Sequence, residues 1–128
     1  MYTATFTFAK GDWDAEFHAL DATISAAARA MPGYLGEESW EDAARGQICN
    51  VYYWESLEAL QALMQHPDHL EAKRQQARWL KGYQVQVAQV LRTYGDGLLP
   101  CPWRPATVEQ AALTPAPRVR PLNARPAP

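Results

Sequence analysis

The chain has little of what several protein classes require. It holds only two cysteines in 128 residues, Cys49 and Cys101, and no CxxC pair, so neither a disulfide scaffold nor a structural zinc site is indicated. No apolar run approaches the roughly 20 residues that cross a bilayer, and the first residues lack a basic segment followed by an apolar one. We therefore expect a cytoplasmic protein that does not span a membrane.

Positive charge is also scarce in most of the chain. The net charge is -2, and residues 97–128 carry four arginines against one glutamate, a net of +3 that leaves -5 for residues 1–96. An acidic body without a basic stripe is a poor match for a phosphate backbone, so we expect no nucleic-acid binding.

Prolines are concentrated at the end of the sequence. Eight of the ten lie from Pro100 onward, where large apolar residues are few and follow no period. Such a segment cannot bury enough surface to offset the entropy of ordering it. The sequence therefore predicts one domain at residues 1–96 and a flexible proline-rich tail at 97–128. Trp103 leaves an alternative open, in which this indole docks on the body or on a partner subunit.

The first half of the body alternates between strand and helix patterns. Period-two alternation from Tyr2 to Phe8 predicts a half-buried strand. After Asp12, a candidate N-cap, apolar residues spaced three and four apart predict a helix that ends before Pro32. Two strands at 34–41 and 47–55 follow, joined by a loop of hairpin length.

The second half of the body contains a broken helix and a long strand. Ser56 is a candidate cap for a short helix that breaks at His66, because the residue before a proline avoids the helical region. A second helix runs from Pro67 to about Leu80 with Lys73 on its outer side. Residues 83–94 are predicted to form the last strand.

The order of these elements predicts a ferredoxin-like α+β fold of the βαββαβ type. In this fold a four-stranded antiparallel sheet carries its helices on one face. The other face, with threonines on the first strand, glutamines on the last and aromatics such as Tyr52 or Tyr53 and Trp54 on the third, would be bare in a monomer. Because an isologous dimer buries such a face with one patch used twice, we predict a homodimer.

Four short segments carry a resemblance to a known family. They are residues 31–36 (MPGYLG), 53–60 (YWESLEAL), 66–70 (HPDHL) and 79–83 (WLKGY). With these segments, residues 2–96 resemble the antibiotic biosynthesis monooxygenase family, which is related to the haem-degrading monooxygenases. The resemblance implies a dimeric α+β barrel whose two sheets pack face to face, with a pocket between sheet and helices in each subunit.

The resemblance to the haem-degrading relatives is incomplete at the residues those enzymes use. Their tryptophan position falls here on Leu63, their axial histidine position falls near Lys73, and the first strand has no asparagine. A shifted His69 is the remaining imidazole for haem ligation. Quinone-oxidising relatives use no metal or organic cofactor and position the substrate with aromatic and amide groups, for which Asn50, Trp54 and Tyr83 are the candidates here.

His69 is the first candidate for a functional side chain, because a neutral imidazole near pH 7 accepts a proton from a phenol. Trp54, Trp79 and Tyr83 are candidates for contact with substrate, each with packing as the alternative role. His66, three residues before His69, is a further pocket candidate. The two histidines lack a third ligand at a recognisable spacing, so no metal site is predicted.

The resulting hypothesis is a cofactor-independent monooxygenase that acts on a small aromatic or quinone-like molecule in the helix–sheet pocket. His69 would be the catalytic base. Two alternatives remain open: a haem-binding or haem-degrading monooxygenase that uses His69, and a dimer that binds a small hydrophobic molecule without catalysis. The residues predicted to contact the substrate are Asn50, Trp54, Trp79, Tyr83 and His66.

Overall fold

A four-stranded antiparallel sheet carries three helices on one of its faces. The computed structural model describes residues 1–104 together with the backbone of residues 120–121. The expected ferredoxin-like α+β fold is confirmed. Its elements are β1 (Tyr2–Ala9), α1 (Ala15–Ala30), β2 (Tyr34–Asp42), β3 (Gln47–Trp54), α2 (Leu57–Met64), α3 (Pro67–Trp79), β4 (Tyr83–Gln89) and β5 (Arg120–Pro121).

The sheet has the strand order β4-β1-β3-β2-β5. β1 pairs antiparallel with both β3 and β4, and β2 pairs antiparallel with β3. The two-residue β5 lies parallel to β2, a pairing that the sequence patterns did not predict. Because side chains alternate between the faces of a sheet, the register fixes which residues face the helices. The central ones are Ala4 and Phe6 on β1, Asn50 and Tyr52 on β3, and Val85 and Val87 on β4.

The core lies where α1 and α2 pack against the end of β3. The expectation that Trp54 lies on the bare face is wrong, because its ring is fully buried between β3 and the helices, where it forms a cluster with Ala28, Leu60 and Leu63. Tyr53 precedes Trp54 on the same strand, so its side chain lies on the opposite face, where its hydroxyl donates a hydrogen bond to Glu38. β3 therefore separates a helix-covered face from what we call the back face. In β1 and β4 the back face presents Thr3, Thr5, Thr7, Gln84 and Gln86.

Helix α1 begins later than the sequence predicts. Its N-cap is Asp14, not Asp12, and the Asp14 carboxylate accepts a hydrogen bond of 2.9 Å from the Phe17 backbone N–H. Trp13 thus precedes the helix, although its ring still stacks on Phe17 with centroids 4.9 Å apart.

Strand β4 ends five residues before the predicted end at Tyr94. Its register with β1 runs out at the pair of Gln89 with Tyr2, and one further bond joins the Val90 N–H to the Met1 carbonyl. Since β4 is the edge strand of the sheet, the residues beyond Val90 have no neighbouring strand.

The beginning of the predicted tail contacts the back face. The Trp103 ring lies 4.8 Å, between centroids, from the Tyr53 ring. The Pro102 carbonyl passes so close to Gly36 that a Cβ at that position would lie 1.8 Å from its oxygen. The Trp103 indole is therefore docked on the body of the domain, which is the alternative that the sequence left open for it. The rest of the tail prediction, at residues 105–119 and 122–128, lies outside the described residues.

Within the described part of the chain, no helix combines the length and the apolar character that a membrane span requires.

Candidate functional site

A cavity of about 370 Å³ lies between the sheet and the helices. On the sheet side of the cavity, Ala4 lies between the larger Tyr52 on β3 and Val87 on β4. Because its side chain is a single methyl group, it leaves space between these two neighbours. Three lining side chains on the edge strand β4 are about half exposed, so the cavity opens along this edge. These three residues are Tyr83, Val85 and Val87.

The lining is mainly apolar, with a few polar groups contributed by different elements. The polar residues among the lining are Asp21 on α1, Asn50 and Tyr52 on β3, His69, Lys73 and Gln76 on α3, and Tyr83 on β4. An apolar cavity with a small number of converging polar groups is the usual form of a small-molecule site.

His69 is the basic group of this cavity. Its Nδ1 is buried and makes no hydrogen bond of ordinary geometry. Burial and the charge of Lys73 lower the pKa of His69, while the Met64 carbonyl acts in the opposite direction. The imidazole is therefore neutral near pH 7, which is the state that accepts a proton.

Trp54 contributes a donor with no partner. The residue is 0% exposed and lines the cavity, yet its indole Nε1 makes no hydrogen bond. A buried N–H without an acceptor costs about 1–3 kcal/mol.

Asn50 is held by a neighbouring strand. The Ser39 hydroxyl on β2 donates a 2.6 Å hydrogen bond to Asn50 Oδ1. This bond orients the amide, and among the described residues the Nδ2 group has no acceptor. Asn50 and Trp54 thus lie on the same face of β3, and both residues line the cavity.

Trp79 and Tyr83 both line the cavity and join elements of its wall. Trp79 is buried and donates from Nε1 to Asp14 at 3.1 Å, which connects α3 to the start of α1. The Tyr83 hydroxyl accepts a 2.8 Å hydrogen bond from Gln76. The two roles that the sequence left open for these residues are therefore compatible.

His66 is the site candidate that the structure does not bring to the cavity. Its Nδ1 accepts a 3.2 Å hydrogen bond from the Asp68 backbone N–H and so caps α3. Pro67 occupies the first turn of α3, so the residue before it, His66, is in the N-cap position.

Four polar residues of the lining were not predicted from the sequence patterns. Lys73 was expected on the outer side of its helix, but it lies four residues after His69 and reaches the same cavity. Asp21 lies four residues after Phe17 and three before Ile24, so the helical period does place it in the apolar stripe of α1. The other two are Tyr52 and Gln76.

The acidic and phenolic groups near α1 influence one another. Burial, followed by the charge of Glu37, raises the pKa of Asp21. Burial also raises the pKa of Tyr52, with contributions from Glu37 and Asp21, so this phenol stays protonated at all ordinary pH values. No cluster of three or more His, Cys, Asp or Glu side chains suited to a metal ion occurs in residues 1–104.

Comparisons with known proteins agree with this architecture. A family model described as antibiotic biosynthesis monooxygenase matches residues 1–75. The chain is also similar to the uncharacterized protein YqjZ of Bacillus subtilis strain 168, with 32% identity over 92 residues that cover 71% of this chain and 80% of that protein.

Two solved structures show the same fold at lower identity. A mutant of SnoaB, a cofactor-independent oxygenase from Streptomyces nogalater, has a TM-score of 0.60 at 15% identity and covers 72% of this chain and 94% of its own. Rv0793 from Mycobacterium tuberculosis has a TM-score of 0.60 at 20% identity and covers 74% and 100%.

Proposed function

The chain belongs to the antibiotic biosynthesis monooxygenase family, and from this premise we propose that it is a cofactor-independent monooxygenase of a small aromatic or quinone-like molecule. The observation that carries the proposal is that two residues lining the cavity, His69 and Trp54, each have a buried nitrogen without a hydrogen-bond partner, Nδ1 and Nε1 respectively. One is a base and the other a donor, as deprotonation of an electron-rich phenol or anthrone requires. The fold shared with SnoaB supports a reaction without a cofactor.

In the proposed reaction, His69 removes a proton from the substrate and becomes an imidazolium. Trp54 Nε1 donates to the substrate oxygen on which the negative charge accumulates, and Asn50 Nδ2, four residues away on the same strand, donates to a second oxygen of the substrate. The substrate anion reduces molecular oxygen, and a carbon–oxygen bond forms to give a hydroperoxide. For an anthrone, loss of water then leaves a carbonyl at the ring carbon that was a CH₂ group in the substrate. One oxygen atom of O₂ thus enters the product and the other enters water.

An oxygen electrode tests this function directly. We expect purified protein to consume oxygen with at least one member of a panel of anthrones, quinols and catechols. His69→Gln should lower kcat by about 10²- to 10⁴-fold, the usual contribution of a general base. His18→Gln is the matched control, because His18 is exposed on α1 and lies outside the cavity lining. Binding of panel members without oxygen uptake would instead identify a non-catalytic binder.

Hemin distinguishes the haem alternative. If the reaction needs no cofactor, the Soret band of added hemin should remain that of the free compound. A saturable, shifted band that disappears in His69→Ala would replace the cofactor-independent reaction with a haem-based one.

We also propose that the protein is a homodimer through the back face. β4 is exposed along its whole length, and the back face presents hydroxyl and amide groups from β1 and β4. An isologous contact would cover this face with a copy of itself and leave the cavity on the other side of the sheet accessible.

A further inference from the structure

We propose that Asp21 selects the ligand of the cavity, by accepting a hydrogen bond from a hydroxyl group on a neutral aromatic molecule. The inference rests on the proposed function to the extent that it requires an aromatic ligand in the same cavity. It adds a specificity-determining residue and a required feature of the ligand.

Asp21 lacks a partner within the protein. It lines the cavity, but its carboxylate makes no hydrogen bond or ion pair with the described residues. The nearest carboxylate, Glu37, is already satisfied by Arg29, whose Nε and Nη2 donate at 2.9 and 2.8 Å. Asp21 is therefore the carboxylate of this region that is free to accept from a ligand.

The position of Asp21 in the helix favours a role in binding. Phe17, Leu20 and Ile24 line the cavity from the same helix, so a leucine at position 21 would continue the apolar wall. Although much of the residue is exposed, surrounding atoms shield the carboxylate, and together with Glu37 they raise the pKa of Asp21. A ligand donor at this point relieves part of that cost, because it stabilises the charged form.

The charges around the cavity favour a neutral ligand over a cation. Lys73 lines the cavity from α3, and Arg29 forms an ion pair with Glu37, whose charge acts on Asp21. His18 contributes a further, weaker interaction with Asp21 from α1. A hydroxyl group satisfies the carboxylate without introducing positive charge next to Lys73.

Trp54 supplies the second contact. Its buried Nε1 has no acceptor, whereas the Asp21 carboxylate has no donor among the described residues. A flat molecule with a hydroxyl at one end and a carbonyl oxygen at the other satisfies both groups at once. Such a pair of contacts fixes one orientation in a cavity whose other walls are mainly apolar.

The test compares 6-hydroxy-1-tetralone with 6-methoxy-1-tetralone by titration calorimetry at pH 6.5, where the phenol is neutral. We expect the wild-type protein to bind the hydroxy compound about tenfold more tightly, the usual effect of one hydrogen bond to a charged acceptor. Asp21→Leu should abolish this preference by weakening only the hydroxy compound. Glu58→Gln, which changes the net charge equally on an exposed site of α2, should keep it.

Each outcome bears on a separate claim. Equal binding of the two compounds by the wild type, or an unchanged preference in Asp21→Leu, overturns the role of Asp21 and leaves the cavity as a binding site. A preference that depends on Asp21 without oxygen uptake overturns only the monooxygenase. Failure of both compounds to bind overturns the inference together with the assignment of the cavity. A thermal melt of Asp21→Leu, which completes an apolar stripe, checks that the variant is folded.

Discussion

His69 combines burial with an unsatisfied ring nitrogen, and this combination makes stability depend on pH. Its folded-state pKa lies below the ordinary value of 6.5, because burial and Lys73 disfavour the imidazolium. The unfolded chain therefore binds a proton first as the pH falls. Folding stability is unaffected by His69 well above pH 6.5 and is lost as the pH falls through 6.5 toward the lower folded-state value.

The corresponding prediction concerns urea unfolding at pH 7.5 and 5.5. Wild-type protein should lose more unfolding free energy on acidification than His69→Gln, which has no group to protonate at this position. Ala26→Gln, an uncharged substitution on the exposed side of α1, should lose as much as the wild type. Equal losses in all three proteins would show that the His69 imidazole is not shielded from water.

Individual site residues were predictable from sequence only where a residue type indicates its chemistry. His69, Trp54 and Asn50, which all line the cavity, were selected from the sequence because imidazole, indole and amide groups can exchange protons or hydrogen bonds with a ligand. Asp21 and Lys73 were missed because a charged residue on a helix is usually solvated, and periodicity alone does not show that a cavity lies beneath it.

At the scale of elements, the contact between α1 and α3 depends on Asp14. Its carboxylate accepts from the Phe17 N–H, which caps α1, and from the Trp79 indole of α3. Trp79 is 6% exposed, so removal of Asp14 leaves its N–H buried without an acceptor. One side chain therefore stabilises a helix end and one wall of the cavity.

We predict that Asp14→Ala lowers the melting temperature more than Ser56→Ala does. Ser56 caps α2 by accepting only from the Ala59 N–H, and its loss should cost about 1 kcal/mol. Thermal melts of the two variants measure the difference. Equal shifts would indicate that water replaces Asp14 at the Trp79 indole.

Gly36 controls the docking of the segment around Pro102 on the back face. A Cβ at this position would collide with the Pro102 carbonyl, so Gly36→Ala should displace the segment and expose Trp103. We expect a red-shifted tryptophan emission that is absent when Trp103 is also replaced by phenylalanine. Gly95→Ala, where a Cβ meets nothing within 4 Å, should leave the emission unchanged.

The elements themselves follow from local patterns, and their exceptions follow from distant contacts. Alternation and capping placed β1, β2, β3 and α2 close to their observed bounds. The end of β4 depends on where its partner β1 runs out, and the docking of Trp103 depends on Gly36 and Tyr53. Neither contact leaves a periodic signal in the segment concerned.

At the scale of the whole molecule, the proposed dimer predicts that a large charged side chain in the middle of the back face prevents dimerisation. Thr5 lies in the middle of the back face, between Val51 and Gln86. Thr5→Arg would place two guanidinium groups in an isologous interface and should convert the dimer to a monomer in sedimentation velocity at micromolar concentration. Ala26→Arg, on the exposed side of α1, should remain dimeric. A wild-type monomer under these conditions would contradict the proposal.

The neighbouring positions of Tyr53 and Trp54 on β3 have one more consequence. Trp54 lines the cavity on the helix-covered face, whereas Tyr53 contacts the Trp103 ring on the back face. With 5-fluorotryptophan incorporated at all five tryptophans, replacement of Trp54 or Trp103 by phenylalanine would assign the resonances of these two indoles, one sensitive to ligand occupancy and one to association. A single titration spectrum would then show whether the two events occur independently, and the protein would carry its own pair of reporters on either side of one strand.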